Sequence, residues 1–179
     1  MTALSDQQLL EQVARKDKVA MRELYDRYAP GLRRFVENWI ADKNDAADVV
    51  HETMIEIWRN AGRFAGRSSV KSWVFSIARN KAVDRNRHGA RMVLKEADTE
   101  QPDDAPNPEL TMQAFQDAAR VRACIETLSP SHKSAIQLAF FEDLTYQEIA
   151  ELEGRPVGTI KTRIMHAKKL LMRCLSQTP

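Results

Sequence analysis

Glycine and proline are scarce in this sequence, with 6 and 7 of 179 residues, or about 7% together where globular chains average roughly 12%. A β-sandwich or barrel needs a turn every 8–12 residues or so, so an all-β architecture is excluded. No apolar run approaches the ~18 residues that a membrane-spanning helix needs. The opening MTALSDQQLLEQVARKDK turns polar at Ser5 and is unlike a secretory signal. Only 2 cysteines occur, Cys124 and Cys174, with no CxxC pair. They read as reduced, buried thiols of a cytoplasmic protein, not as a disulfide or zinc framework. Catalytic signatures are missing as well: there is no HExxH, no glycine-rich phosphate loop and no nucleophile elbow, and the histidines at 51, 88, 132 and 166 are scattered. The expectation is a protein that is not an enzyme, with no metal, no cofactor, no small-molecule substrate and no membrane insertion.

Charge is sharply segregated. The net charge is only +2, yet residues 61–95 carry Arg63, Arg67, Lys71, Arg79, Lys81, Arg85, Arg87, Arg91 and Lys95 against the single acid Asp84. Residues 155–179 carry Arg155, Lys161, Arg163, Lys168, Lys169 and Arg173 and no acid at all. Between them, residues 96–110 hold Glu96, Asp98, Glu100, Asp103, Asp104 and Glu109 and no base. Two separate basic patches in one chain suit two contacts along one polyanion.

The periodicity is helical almost throughout. Ser5 with Gln8 predicts a capping box for a first short helix. Met21, Leu24, Tyr25, Tyr28, Leu32, Phe35, Val36 and Trp39 make the apolar face of a second. Asn44 or Asp45 starts a third, carrying Val49, Val50, Thr53, Met54, Ile57 and Trp58. Residues 62–67 break the pattern as a loop. Ser68 or Ser69 then caps a long helix with Val70, Trp73, Val74, Ile77 and Ala78 inward. From Gly89 to Asn107 periodicity is lost, acids accumulate and Pro102 and Pro106 appear, which predicts a flexible linker. Asn107-Pro108 and Ser129-Pro130 each read as a cap with proline at the first helical position. The first of these helices carries Met112, Phe115, Ala119, Arg122, Ala123 and Leu128, and the second runs through Phe141.

The sharpest signal lies at 144–171, LTYQEIAELEGRPVGTIKTRIMHAKKLL. Thr145 and Glu148 form a second capping box, Ala150 is small enough for close crossing of a neighbouring helix, and Gly154 suits a left-handed turn. Pro156 ends any continuation. A new helix follows with Ile160, Ile164, Ala167, Leu170 and Leu171 as its buried stripe. Its other face shows Thr159, Lys161, Thr162, Arg163, Met165, His166, Lys168 and Lys169, a mixture of short hydroxyls and long cations suited to bases and phosphates. This is a helix-turn-helix.

Four segments together resemble the extracytoplasmic-function (group IV) sigma factors of the bacterial sigma-70 family. DAADVVHETMIEIWR (45–59) resembles that family's polymerase-binding helix, and FAGRSSVKSWVFSIARNKAVDRNR (64–87) its promoter −10 region. LSPSHKSAIQLAFFEDLTYQEIA (128–150) and PVGTIKTRIMHAKKLL (156–171) resemble its −35-binding domain. The resemblance implies an all-α chain of two small helical domains: 1–92 (region 2), a flexible acidic linker at 93–107, and 108–179 (region 4, a helix-turn-helix). The gap between −35 and −10 elements is roughly 50 Å, about one and a half DNA turns. The stretch from Gly89 to Asn107 reaches at most about 63 Å, enough for the two domains to hold both elements.

The resemblance also implies roles. Asp48, His51, Glu52 and Glu56 match the face that docks on core RNA polymerase, with His51 where the family usually has Gln. Phe64, Ser68, Ser69 and Lys71 match the loop that receives a flipped −10 base, although Phe64 reads equally as a core residue anchoring that loop. Asn80, Asp84 and Arg87 match readers of the −10 edge, Arg79 and Lys81 match phosphate contacts, and Trp73 reads as core. Lys161, Thr162, Met165 and His166 match −35 base readers. Arg163, Lys168 and Lys169 are expected on phosphates, with Thr145, Tyr146, Arg155 and Thr159 beside them. The implied partners are core RNA polymerase (its β′ and β subunits), promoter DNA and an anti-sigma factor. The rival reading is a helix-turn-helix regulator independent of polymerase, which residues 128–171 would fit and residues 45–87 would not.

Overall fold

A computed structural model describes residues 4–89 and 118–177. All regular structure among them is helical, in eight α-helices. The first four are α1 (Asp6–Ala14), α2 (Lys18–Glu37), α3 (Lys43–Asn60) and α4 (Val70–Gly89), with a 3-10 turn at Ala61–Arg63. The other four are α5 (Ala118–Glu126), α6 (Pro130–Phe140), α7 (Tyr146–Glu153) and α8 (Val157–Gln177).

Short polar side chains start these helices, as unsatisfied first-turn N–H groups require. Ser5 and Gln8 make the capping box on α1, and Thr145 and Glu148 make the one on α7. Asp42, not Asn44 or Asp45, caps α3: its carboxylate accepts from the N–H groups of Asn44 and Asp45 at 2.8 and 3.0 Å. Of the two serines before α4, Ser69 is the cap, its hydroxyl accepting from the Ser72 N–H at 3.2 Å. Gly154 holds φ 64°, a left-handed conformation that sets the turn between α7 and α8.

The N-terminal unit packs α1 to α4 around Leu9, Leu24, Leu32, Phe35, Val36, Ile57 and Phe75, all fully buried. Phe35 and Phe75 meet edge-on at 5.4 Å, an arrangement worth about 0.5–1.5 kcal/mol beyond area burial. Asp6 ties α1 to α2, accepting from Arg27 at 2.6 Å and from the Tyr28 hydroxyl at 2.5 Å. Burial and that hydrogen bond hold the Tyr28 hydroxyl well above its ordinary pKa. The C-terminal unit closes α5 to α8 over Leu138, Ile149, Ile160, Ile164 and Ala167.

Three expectations need correction. On α5 the buried side chains are Val121 and Cys124, while Arg122 and Ala123 are exposed. Leu170 lies outside the α8 stripe at 41% exposure. Cys124 and Cys174 are not two thiols but a disulfide, with Cα atoms 5.8 Å apart. Their separation of 50 positions conceals that α5 lies along the C-terminal half of α8, where Arg120 also donates to the Leu175 carbonyl at 3.1 Å. Met112, Phe115, the Asn107-Pro108 start and the linker at 93–107 lie outside the described residues.

Closing a 50-residue loop removes entropy from the unfolded chain. Reduction is therefore expected to destabilise the C-terminal unit by about 2–4 kcal/mol, read as a lower urea midpoint with dithiothreitol. A Cys124→Ser, Cys174→Ser variant should start at the lower midpoint and ignore the reductant.

Candidate nucleic-acid interface

The first basic surface is built on α4 and the loop before it. Gly66, at φ +66°, turns the loop. Phe64 is half-buried with its ring 5.3 Å from Trp73, so the Phe64–Trp73 pair anchors the loop to the core. Ser68 and Ser69 follow, and Lys71 opens the helix. Asn80, Asp84 and Arg87 fall along an exposed edge of α4. Arg79 is half-buried, and its Nε is buried without a hydrogen-bond partner.

The acidic face of α3 splits in two. Asp48 and His51 are exposed, the His51 ring centre lying 6.1 Å from that of Tyr25 in a tilted, edge-on arrangement. Glu56 instead holds Lys81 at 2.7 Å, and Glu52 holds Arg85 at 2.7 Å, with Asp45 at 3.1 Å on the same guanidinium. These pairs join the edges of α3 and α4 and set Glu56, expected to face polymerase, against Lys81, expected to face DNA. Arg85 was missed by motif reading. Helical spacing could have found it, since Arg85 stands one turn after Lys81, as Glu52 stands one turn before Glu56.

The second basic surface is the outer face of α8. Lys161 and Met165 are exposed, Thr162 and His166 half-exposed, so these four line one strip at helical spacing. The Thr162 hydroxyl donates back to the Gly158 carbonyl at 3.0 Å. Lys168 reaches over the Phe140 ring at 4.7 Å to its centre, a cation–π contact. Thr159 and Lys169 are half-exposed, Tyr146 is half-buried, and Thr145 and Arg155 are exposed.

Arg163 is the correction on this surface. Its side chain is 6% exposed and paired with Glu153, itself 3% exposed. The Ser134 hydroxyl donates to the same carboxylate at 3.4 Å. The reason is positional: Arg163 stands three residues after Ile160 and four before Ala167, both fully buried. A cation on that stripe must find a buried anion, so Arg163 serves the fold and is unavailable to phosphate. No group of His, Cys, Asp and Glu among the described residues could hold a metal ion.

Removing one member of a buried pair leaves the other charged and unsolvated, at a cost of about 3–5 kcal/mol. Arg163→Ala is expected to lower the stability of the C-terminal unit by that amount in urea denaturation followed by circular dichroism. Glu153→Leu combined with Arg163→Met should recover most of it.

Comparison with known proteins bears on both surfaces. Residues 24–92 match the family model for sigma-70 region 2, and residues 118–171 match that for sigma-70 region 4. The chain is 33% identical over 162 residues to the ECF RNA polymerase sigma factor RpoE of Cereibacter sphaeroides, across 90% of this chain and 89% of that protein. It is 31% identical over 185 residues to the RNA polymerase sigma-H factor of Pseudomonas aeruginosa, across 98% and 96%. Among solved structures, CnrH in complex with the cytosolic domain of CnrY shares the fold with a TM-score of 0.65 at 22% identity, over 97% of this chain and 99% of that one. The sigma factor RpoE in complex with the anti-sigma factor NepR from Bartonella quintana gives 0.64 at 25% identity, over 88% and 98%. With both regions matched in order and curated relatives above 30% identity along nearly the whole chain, this protein belongs to the extracytoplasmic-function sigma factors of the sigma-70 family: it is an RNA polymerase initiation factor and not an enzyme.

Proposed function

We propose that the two cation-rich helical faces divide promoter recognition between them. The loop at 64–71 and the exposed edge of α4 take the −10 element. Phe64 and Trp73 hold the loop in place, Ser68, Ser69 and Lys71 supply donors to a flipped base and its backbone, and Asn80, Asp84 and Arg87 read the adjoining duplex. Arg79 and Lys81 contact phosphates, Lys81 by releasing Glu56. The outer strip of α8 enters the −35 major groove, with Lys161, Thr162, Met165 and His166 at the bases. Lys168, Lys169, Arg155, Thr145, Tyr146 and Thr159 hold the flanking backbone. Asp48 and His51, the exposed row of α3, meet core polymerase first, and Glu52 and Glu56 join by exchanging partners.

The observation that carries this reading is the outward strip on α8, which contains no acid while the one inward cation is neutralised by Glu153. A helix that buries one arginine at an ion pair and turns the rest outward presents a surface for a polyanion. The protein works in the cytoplasm, where the polymerase is, and no described helix is long and apolar enough to cross a membrane. The solved CnrH and RpoE structures are each complexes, the second with a protein called an anti-sigma factor. An anti-sigma factor is accordingly the proposed partner here, and a stress or envelope regulon the proposed output.

Run-off transcription with core polymerase tests the reading, since only a sigma factor confers new initiation on core enzyme. Asp48→Arg should abolish co-elution with core in gel filtration while leaving helicity unchanged, and undiminished holoenzyme would overturn the docking assignment. At the −35 element, imidazole donates fewer hydrogen bonds than the guanidinium that grips guanine bidentately. In a randomised −35 library, His166→Ala should lose preference at one base pair, and His166→Arg should shift or sharpen it there. Lys168→Ala should weaken all sequences about equally.

A further inference from the structure

A third cluster of cations has no part in the promoter contacts proposed above. Arg15 and Lys18 flank the turn between α1 and α2, and Arg59, Arg63 and Arg67 run from the last turn of α3 through the 3-10 turn into the −10 loop. All five are exposed, and none makes an ion pair among the described residues. Residues 57–83 contain no acid. Two acids stand on the facing turn, and both are engaged. Asp17 accepts from the N–H groups of Val19 and Ala20 at 2.8 and 3.2 Å, and Glu11 accepts from the Gln7 amide at 3.4 Å.

The fold sets the two groups of cations side by side. Ala14, at the end of α1, lies against the 3-10 turn, where a Cβ added at Gly62 would sit 3.9 Å from the Ala14 Cβ. Lys16 closes the join. Its ammonium donates to the Trp58 carbonyl in the last turn of α3 and lies 5.0 Å from the centre of the Trp58 ring. Its backbone holds φ 67°, the left-handed conformation that a helix end commonly gives to glycine, as α7 does at Gly154. A side chain persists in that conformation only where its surroundings hold it there, and the bond to Trp58 does so.

We infer that this rim of five cations is a further DNA site, a track for the melted single strand that leaves the −10 loop on its downstream side. The inference rests on the proposed −10 reading of residues 64–87. In that reading the duplex lies along Asn80, Asp84 and Arg87, and a base flips into the loop at 64–71. A strand that enters the loop from α4 leaves it on the opposite side, at Arg67, Arg63 and Arg59. A melted strand keeps its phosphates but offers no groove, so cations that follow its backbone are what can hold it. Long, exposed side chains without ion pairs suit that task, since they give up no partner on binding. Lys81, by contrast, must first release Glu56. Contacts to phosphate carry no sequence information, so the rim holds the strand apart and does not read it.

Two double variants test the rim from its two sides, each in holoenzyme formed with core polymerase: Arg59→Ala with Arg63→Ala, and Arg15→Ala with Lys18→Ala. Circular dichroism establishes that each is folded, and gel filtration that each joins core. The DNA is a promoter from which wild type initiates in run-off transcription, made as two forks whose duplex reaches the −10 element. In the short fork the non-template strand ends with that element. In the long fork it continues for about ten nucleotides, within the site sizes of single-strand tracks. Both variants should bind the short fork as wild type does and the long fork more weakly. Single strands lose about 0.7 in salt slope per phosphate contact, so removing two contacts should flatten the log–log slope on the long fork by about 1.4. The advantage of wild type on the long fork should then shrink about seven-fold between about 50 and 200 mM salt. Wild-type affinity of the variants for the long fork, or an equal loss on both forks, would overturn the rim. Weaker co-elution with core would place these side chains on polymerase and overturn it as well. A wild type that initiates at no promoter would overturn the −10 reading and the rim with it, whereas initiation without a difference between the forks rejects the rim alone.

Discussion

The C-terminal unit depends on one buried ion pair. Glu153 in the last turn of α7 and Arg163 in the second turn of α8 meet across the left-handed turn at Gly154. Two charges out of water are tolerated only where each satisfies the other with good geometry and further hydrogen bonds, and the Ser134 hydroxyl supplies one of these. The pair therefore fixes how α8 rotates about its own axis. With Arg163 turned inward between Ile160 and Ala167, the strip of Lys161, Thr162, Met165 and His166 must face outward. The proposed reading surface is thus a consequence of where the fold hides one arginine.

Charge is used differently in the N-terminal unit. Lys81–Glu56 and Arg85 with Glu52 and Asp45 are partly exposed pairs along the α3–α4 edge. Such pairs contribute about 0–1 kcal/mol each, so they are not what holds the four helices together. The apolar layer centred on Phe35 and Phe75 and the knot at Asp6 do that. Weak surface pairs have another merit for a protein that must dock: each can be exchanged for a partner's charge at small net cost. In the proposed function Glu56 turns to polymerase while Lys81 turns to phosphate. The two events then favour one another, because each frees the partner the other needs.

Local chemistry was legible in the sequence, and contacts between distant segments were not. The capping boxes at Ser5 and Thr145, the proline start after Ser129 and the turn at Gly154 each depend on residues within a few positions, and the structure shows all of them. Asp42 is hard to single out as a cap because Asn44 and Asp45 offer the same chemistry two and three residues later. Residue type alone puts Arg163 on the outward face of α8, whereas its spacing from Ile160 puts it on the buried stripe. The disulfide was invisible because sequence separation says nothing of which helix ends meet. The same holds for Gln137, whose two hydrogen bonds reach across 99 and 106 positions.

Glu148 shows how one side chain can serve local and distant order together. Burial opposes its charge, yet hydrogen bonds from Ser69 and Thr145 hold its carboxyl below the ordinary range. Its bonds to Thr145 depend on residues three positions apart and start α7. Its bond to Ser69 ties that helix to the loop before α4, 79 positions away, and no local pattern announces it.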